Sequence, residues 1–383
     1  MTADVGGWSG HTRPGHSVGL PMPAVPLLRH HSDVTPEWLT DTLTRAGQLA
    51  EGASVRSFEA APIGTGQMAD TTRFSLTLDP PEAGPASVVG KFASADDQSR
   101  GTGLALRAYE VEVRFYREVA ARVGARLPAV YLAEVEPATG WFTILMEDIA
   151  GAAQGDQIAA CGPDVAAAVL QEMAGLHAPC WEAPELERLD WLNRSTPESD
   201  ALLVALVSSL LPGFLERYAD TLDPEHQAVC RLFADHLPDY LRLRGGPRTA
   251  SHGDFRLDNL LFQPDSPRPV VVDWQTVAWA SASIDVAYFI GGCLSAEDRR
   301  AHEPELLAGY HEALCQRGVR EYSLEQLRAD TRRDTFAGLL MAIVASMVVQ
   351  RTERGDLMFL TSASRHAQHA LDADAPALLL GAA

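Results

Sequence analysis

The chain has 383 residues, 46% of them hydrophobic, enough to bury one large core or two medium ones. Its 31 Lys and Arg stand against 51 Asp and Glu, a formal net charge of -20. Phosphate backbones demand clustered basic side chains, so no nucleic-acid partner is expected. No apolar run is read as approaching the roughly 18 to 20 residues that span a bilayer, and the N-terminus lacks the basic start and apolar block of a leader. No membrane partner is therefore expected, and the chain is read as cytoplasmic. The scattered cysteines, Cys161, Cys180, Cys230, Cys293 and Cys315, form no Cys-x-x-Cys pair and are read as reduced packing residues, with no structural metal. The acidity serves solubility and would also suit a cationic substrate. Oligomeric state is not legible.

Residues 1–32, rich in Gly, Pro, Ser and His, are read as a poorly ordered lead-in. Thr35-Pro36-Glu37 offers a helix start, with Trp38, Leu39, Leu43 and Ala46 at helical spacing. A strand from Val55 to Ile63 leads into the turn Gly64-Thr65-Gly66-Gln67-Met68-Ala69-Asp70. In the next strand Phe74, Leu76 and Leu78 alternate with Arg73, Ser75 and Thr77. A third strand, Ser87 to Ala93, carries Lys91. A single helix from about Leu104 to Val123 places Glu112 on a stripe with Ala108, Phe115, Tyr116 and Val119. Strands at 129–136 and 141–146 end at the connector Met146-Glu147-Asp148. Beyond it, helical patterns run over 163–177, 199–218, 224–243, 297–317 and 324–351. The fold class expected is α+β in two lobes: a small antiparallel β-rich lobe over 33–148 and a larger, mostly helical one over 149–383.

The chemistry concentrates in Ser251-His252-Gly253-Asp254-Phe255-Arg256-Leu257-Asp258-Asn259-Leu260-Leu261-Phe262 and Val270-Val271-Val272-Asp273-Trp274-Gln275. The two apolar stretches are joined by a turn-rich loop and should form a hairpin. Its midpoint is Ser266, so Asn259 and Asp273 should face each other at the open end. An amide oxygen and a carboxylate there are hard ligands suited to Mg²⁺ carrying phosphates. Asp254, on the loop entering the hairpin, is placed to act as a base toward an attacking hydroxyl.

This stretch resembles the aminoglycoside phosphotransferase and choline kinase group, the small-molecule relatives of protein kinases, over roughly residues 50 to 350. The resemblance implies Asp254 as catalytic base, Asn259 and Asp273 as Mg²⁺ ligands, and Asp285 in Ile284-Asp285-Val286-Ala287 as a buried structural carboxylate. It also implies that the Met146-Glu147-Asp148 connector holds the nucleobase, with ATP the default nucleotide. Gly253 stands where protein kinases carry Arg, which removes the usual link to a phosphorylated activation segment and implies constitutive activity. Trp274-Gln275 follows the metal aspartate in place of Phe-Gly, a pattern similar to ecdysteroid-kinase-like proteins.

Lys91 in an apolar strand would be an odd core residue unless it met an anion. Glu112, preferred over Glu110 because it lies on the apolar face, is its natural counter-charge. Gly64 and Gly66, with Thr65 and Gln67, would let the backbone approach phosphate. Gly84 to Lys91 is not a P-loop, since Phe92 stands where Ser or Thr is needed. The acceptor, a small molecule bearing a hydroxyl, is expected against the helical lobe, where Trp181, Trp191, Tyr218 and Trp279 could line a pocket, although aromatic residues in helices are more often core. The leading reading is an ATP- and Mg²⁺-dependent O-phosphotransferase. The alternatives are a nucleotide-binding pseudokinase serving as an interaction module, and a metal-dependent phosphate-ester hydrolase, which leaves Lys91 without a role.

Overall fold

The computed structural model describes residues 25–64, 68–266 and 268–381. Thr65, Gly66 and Gln67, and residues 1–24 of the lead-in, lie outside the described residues. The remainder of the lead-in departs from the expectation, because it is anchored. The Leu28 N–H donates to the Thr143 hydroxyl at 3.0 Å, and that hydroxyl donates back to the Leu28 carbonyl at 2.7 Å. The Trp38 indole N–H reaches the Pro26 carbonyl at 3.0 Å, and Val25 and Leu28 pack on the core beneath it. Two apolar residues in a polar stretch were too few to show as a pattern.

Helix α1 (Pro36–Arg45) starts where its cap predicts, with the Thr35 hydroxyl accepting the Trp38 N–H at 3.2 Å, and buries Trp38, Leu39 and Leu43. Strands β1 (Ser54–Pro62), β2 (Ala69–Asp79) and β3 (Ser87–Ala93) follow. After helices α2 (Asp97–Ala105) and α3 (Ala108–Arg114) come β4 (Val130–Glu136) and β5 (Trp141–Glu147). The five strands form one antiparallel sheet in the order β1-β2-β3-β5-β4. β3 is therefore central, and its run Val88-Val89-Gly90-Lys91-Phe92-Ala93 is buried throughout, the pattern of a strand covered on both faces.

The single helix expected over 104–123 is divided. Arg107 adopts a left-handed conformation (φ 56°) that ends α2 and starts α3, and after Arg114 the helix widens into a π-helical turn, Phe115–Val119. That turn lays the Phe115 ring flat on Trp274, with centroids 3.8 Å apart and planes 7° from parallel.

The second lobe opens with β6 (Ala153–Gln154), α4 (Pro163–His177), α5 (Pro184–Glu187), α6 (Pro197–Arg217), α7 (Pro224–Asp235) and α8 (Leu237–Leu243). Next come β7 (Arg248–Ser251), β8 (Leu260–Phe262), β9 (Val270–Val271) and β10 (Ala278–Ser281), with β8 paired to both β6 and β9 and β7 to β10. The lobe closes with α9 (Ala282–Cys293), α10 (Ala296–Gln316), α11 (Leu324–Asp334), α12 (Ala337–Val348), α13 (Glu353–Asp372) and α14 (Pro376–Leu380). The long patterns at 224–243 and 324–351 are each broken into two helices. α9 escaped the sequence reading because it is buried on every side and has no polar face to set a period. α13 escaped it because its buried stripe, Met358, Ser362, Ala363, His366, His369 and Ala370, is mostly small or polar.

One expectation about apolar runs is overturned. α6, 21 residues long with a mean hydropathy of 1.5 over its most apolar window, is by length and composition apolar enough to cross a membrane, and 11% of that window is buried. Ser208, Ser209, Pro212 and Gly213 interrupt the run as written. Val207 and Phe214 nevertheless pack α6 into the second core with Phe233, Leu339 and Ile343.

His366 on α13 is wholly enclosed, and a Cβ on Gly338 would fall 2.0 Å from its Nε2, so only glycine leaves the ring its space. Neither ring nitrogen has a partner among the described residues. Burial first, then the charges of His369, Arg299 and Arg365, pull this imidazole down to about 3. A folded pKa below the unfolded one means stability present at neutral pH and lost as pH falls, between the ordinary 6.5 and about 3. This one group should contribute a slope of about 1.4 kcal/mol per pH unit in that window. Urea titrations at pH 6.5 and below should therefore show His366→Leu losing about one proton's worth of acid destabilisation; an unchanged slope would mean that the ring is protonated in the fold.

Candidate active site

The site is assembled where the two lobes meet. β7 delivers the chain into the loop His252-Gly253-Asp254, whose backbone is fixed from below by a buried carboxylate. Asp285, fully enclosed at the start of α9, accepts the His252 N–H at 2.7 Å and the Gly253 N–H at 2.9 Å, and pairs with His177 Nε2 at 3.1 Å. Burial alone would raise its carboxyl, but the hydrogen bond and charge of His177 lead the group of interactions that hold it below the ordinary range. Gly253 itself has φ 79°, and a Cβ there would lie 2.6 Å from the Thr276 carbonyl. The backbone, more than any lost side-chain function, dictates glycine here.

The hairpin forms as its sequence implies, with Leu260 opposite Val271 and Leu261 opposite Val270, and the Val272 N–H donates to the Asn259 carbonyl at 3.0 Å. This brings Asn259 and Asp273 to its open end. The Asn259 amide nitrogen donates to the Asp254 carbonyl at 2.9 Å and to Asp254 Oδ2 at 3.0 Å, leaving the amide oxygen as an acceptor. Asp273 sits at φ 68°, an uncommon conformation for a residue with a side chain. Its Oδ2 accepts from the Gln275 amide at 3.2 Å.

Lys91 crosses between the lobes. Its ammonium lies 2.9 and 2.7 Å from the two oxygens of Glu112 and 2.8 Å from Asp273 Oδ1. Burial would lower the ammonium, but Asp273 and then Glu112 outweigh it and hold Lys91 above its ordinary value. Burial would likewise raise Asp273, yet Lys91 holds it below the usual carboxylate range. Glu112, which is 1% exposed, is pushed up by burial against the opposing pull of Lys91. Glu110 instead turns to Arg107 at 3.0 Å and Arg114 at 3.6 Å.

The other expected site residues are distributed as follows. Gly64 has φ 77° and open space beside it. Met146 is buried in β5, paired with Val89 and Val130. Glu147 Oε2 accepts the Ala129 N–H at 3.0 Å. Asp148 is clamped by Arg73 at 2.7 and 2.9 Å and by the Ser87 hydroxyl at 2.6 Å. The side chains of Glu147 and Asp148 are thus committed to contacts within the first lobe. The aromatic pocket is corrected: Trp191, Tyr218 and Trp279, at 0 to 4% exposure, are core residues, and Trp181 packs on Tyr322 with ring centroids 5.2 Å apart.

Several neighbours of Asp254 were not foreseen. Arg256 Nε donates to Asp254 Oδ2 at 3.0 Å while its Nη1 reaches Asp258 at 2.8 Å. Arg354 of α13 contacts both oxygens of Asp258 at 3.2 Å. Gln157 accepts the Leu257 N–H and donates its own N–H to Asp258, each at 3.0 Å. The Tyr288 hydroxyl donates to Asp254 Oδ1 at 2.8 Å. Arg256 was legible, two residues beyond Asp254, while Tyr288 and Arg354 are distant in sequence and carried no signal. Asn259 and Asp273 offer two hard oxygen sites, and among the described residues no three His, Cys, Asp or Glu side chains converge on a metal position. That donor set fits an ion that keeps waters or takes further oxygens from a ligand, and does not fit an all-protein cage.

Residues 98–325, more than half of the chain, match the model of the phosphotransferase enzyme family. Among solved structures, a candidate aminoglycoside phosphotransferase of Ralstonia eutropha aligns over 88% of this chain and 97% of its own, with 14% identity and a TM-score of 0.50. Choline kinase of Cryptosporidium parvum aligns over 85% of this chain and 91% of its own, with 12% identity and a TM-score of 0.50. No curated protein sequence matches significantly. At such identities the structural likeness speaks to the fold, and the family match to the chemistry: this chain belongs to the phosphotransferase enzyme family and is a small-molecule kinase of two-lobed, protein-kinase-like architecture.

Proposed function

We propose that this protein transfers the terminal phosphoryl group of ATP to a hydroxyl of a small molecule such as an antibiotic, another natural product or a metabolite alcohol. The observation that carries the reading is one cluster: Lys91 bound to Glu112 and Asp273, beside Asp254 and Asn259, which share two hydrogen bonds. The nucleotide lies between a nucleotide-binding lobe, residues 33–148, and the catalytic lobe that follows. Backbone groups of Met146-Glu147-Asp148 meet the base, and the Gly64 backbone, with no side chain in the way, approaches the phosphates. Lys91, oriented by Glu112, exchanges its contact with Asp273 for phosphate oxygens. Asn259 and Asp273 would hold a magnesium ion, which supplies charge neutralisation on those phosphates when bound.

Asp254 orients the acceptor hydroxyl and takes its proton. The hydroxyl oxygen bonds to the terminal phosphorus as the bond from that phosphorus to the bridging oxygen breaks, and ADP leaves. Positioning and charge complementarity dominate, since the protein forms no covalent bond.

Mass spectrometry of pooled aminoglycosides, macrolides, sterols, hydroxyacyl thioesters and choline-like alcohols, incubated with Mg-ATP, tests the reading. A gain of one phosphate on one compound is expected, lost in Asp254→Asn while nucleotide affinity stays within about threefold, because Asp254 meets the acceptor. Coupled loss of both binding and transfer would count against the assignment. A second outcome concerns the charges. Lys91→Met leaves a buried carboxylate, Glu112, and a partly exposed one, Asp273, without a cation and should cost about 2 kcal/mol in urea unfolding, somewhat below the roughly 3–5 kcal/mol of a fully buried pair because water reaches Asp273. Adding Glu112→Gln should recover part of that loss; if it deepens the loss, the cluster is not held together by charge.

A further inference from the structure

A carboxylate has about four lone-pair positions, and those of Asp254 are almost fully assigned. Arg256 Nε at 3.0 Å and Asn259 Nδ2 at 3.0 Å both reach Oδ2, and the Tyr288 hydroxyl at 2.8 Å reaches Oδ1. One position remains, on Oδ1, beside the Tyr288 hydroxyl. We propose that Tyr288 is a positioning residue for the transfer, fixing the Asp254 carboxylate so that a single seat is left for the proton of the incoming hydroxyl.

This rests on the phosphotransferase reading of Asp254 and extends it to a side chain 34 residues further along the chain. Tyr288 is built to be immobile. It is 7% exposed, on the enclosed helix α9, and its ring lies on that of His366 with centroids 5.3 Å apart and planes 14° from parallel. His366 in turn fills space kept open by Gly291, Gly292 and Gly338, where a Cβ would lie 2.7, 2.8 and 2.0 Å from its ring nitrogens. Both His366 nitrogens lack partners among the described residues, so the imidazole serves here as a flat, neutral platform and not as a hydrogen-bonding group. Burial, and then the Asp254 charge, keep the Tyr288 phenol protonated far above neutrality, so it remains a donor. Three donors on one carboxylate also remove its freedom to rotate, which is the form that positioning takes when chemistry depends on near-attack geometry.

The test replaces only the donor. Mg-ATP turnover with water as acceptor is followed as ADP release, alongside ADP affinity and the melting temperature. Tyr288→Phe is expected to lower kcat about tenfold, the rate equivalent of losing one hydrogen bond to a charged group, with the ATP KM and ADP affinity within twofold of the parent. Because Tyr288→Phe also leaves a gap, 4-fluorophenylalanine at position 288, which fills the space without donating, should be equally slow. By contrast, 4-aminophenylalanine, which donates from the same place, should return to within about threefold of the parent. Equal rates in all forms, or rate, affinity and melting temperature falling together, would overturn the proposal. A parent that neither binds nor turns over Mg-ATP, or an Asp254→Asn form as fast as the parent, would instead bring down the reading of Asp254 on which the proposal stands.

Discussion

A single ammonium group, Lys91 Nζ, holds two carboxylates that come from opposite sides of the cleft: Glu112 from the helix behind the sheet and Asp273 from the hairpin of the helical lobe. One cation facing two anions leaves a net negative charge in a region largely cut off from water, which is costly unless a second cation can enter. The same arithmetic makes the site receptive. Under the proposed function, a nucleotide arriving with a divalent ion would bring both a positive charge for Asp273 and a new anion for Lys91. The placement of Lys91 on the central, doubly covered strand β3 makes this work, because at a sheet edge water would screen the pairs to little effect.

The catalytic loop is held by a different device. Between β7 and β8 its own hydrogen-bonded structure is limited to the short 3-10 turn Leu257–Asn259, so its first backbone donors must be satisfied from outside. Asp285 does this for His252 and Gly253, and Gln157 does it for Leu257. Trp274 completes the packing, lying between Phe115 of the first lobe and His252 of the loop, with its ring 3.8 Å and 4.6 Å from theirs. A ring of this size after Asp273 gives Phe115, on the π-helical turn, a flat surface to stack on.

How much was legible in the sequence follows from how local each signal is. The hairpin, the pairing of Lys91 with Glu112 and the position of Asp254 relative to Asn259 all sit within short stretches of strong polar-apolar contrast, and these could be read directly. The sheet could be read as well, since strands half buried or wholly buried show in period or in apolar runs. What could not be read was of two kinds. α9 is buried on every side, so no polar face sets its period, and α13 buries mostly small or polar residues, so no hydrophobic stripe marks it. Tyr288 and Arg354 act through space on residues 34 and 96 positions away, and a lone tyrosine or arginine in a sequence announces no partner. The aromatic residues were ambiguous for the opposite reason: Trp191 and Trp279 stood out by size, which a pocket can use, but size is more often what a core requires, and the core holds both.

Gly253 removes the arginine through which a kinase loop can answer to a modified segment, and the structure shows what takes over the work of support. α13 reaches the loop directly at Asp258 and, further along, through the Gln157 segment and α9. Arg354 grips Asp258 near its start, Arg365 binds the carbonyls of Gln157 and Ile158 at 2.7 and 2.9 Å, and His366 backs the Tyr288 ring. These contacts are intramolecular and need no added group to form. Among the described residues, Arg256 and Arg354 are both paired with the loop's own carboxylates, so this support forms as the chain folds. Order in the site is then a matter of stability: whatever loosens α13 from α9 and from Asp258 loosens the Tyr288 ring and with it the Asp254 carboxylate that the ring's hydroxyl holds.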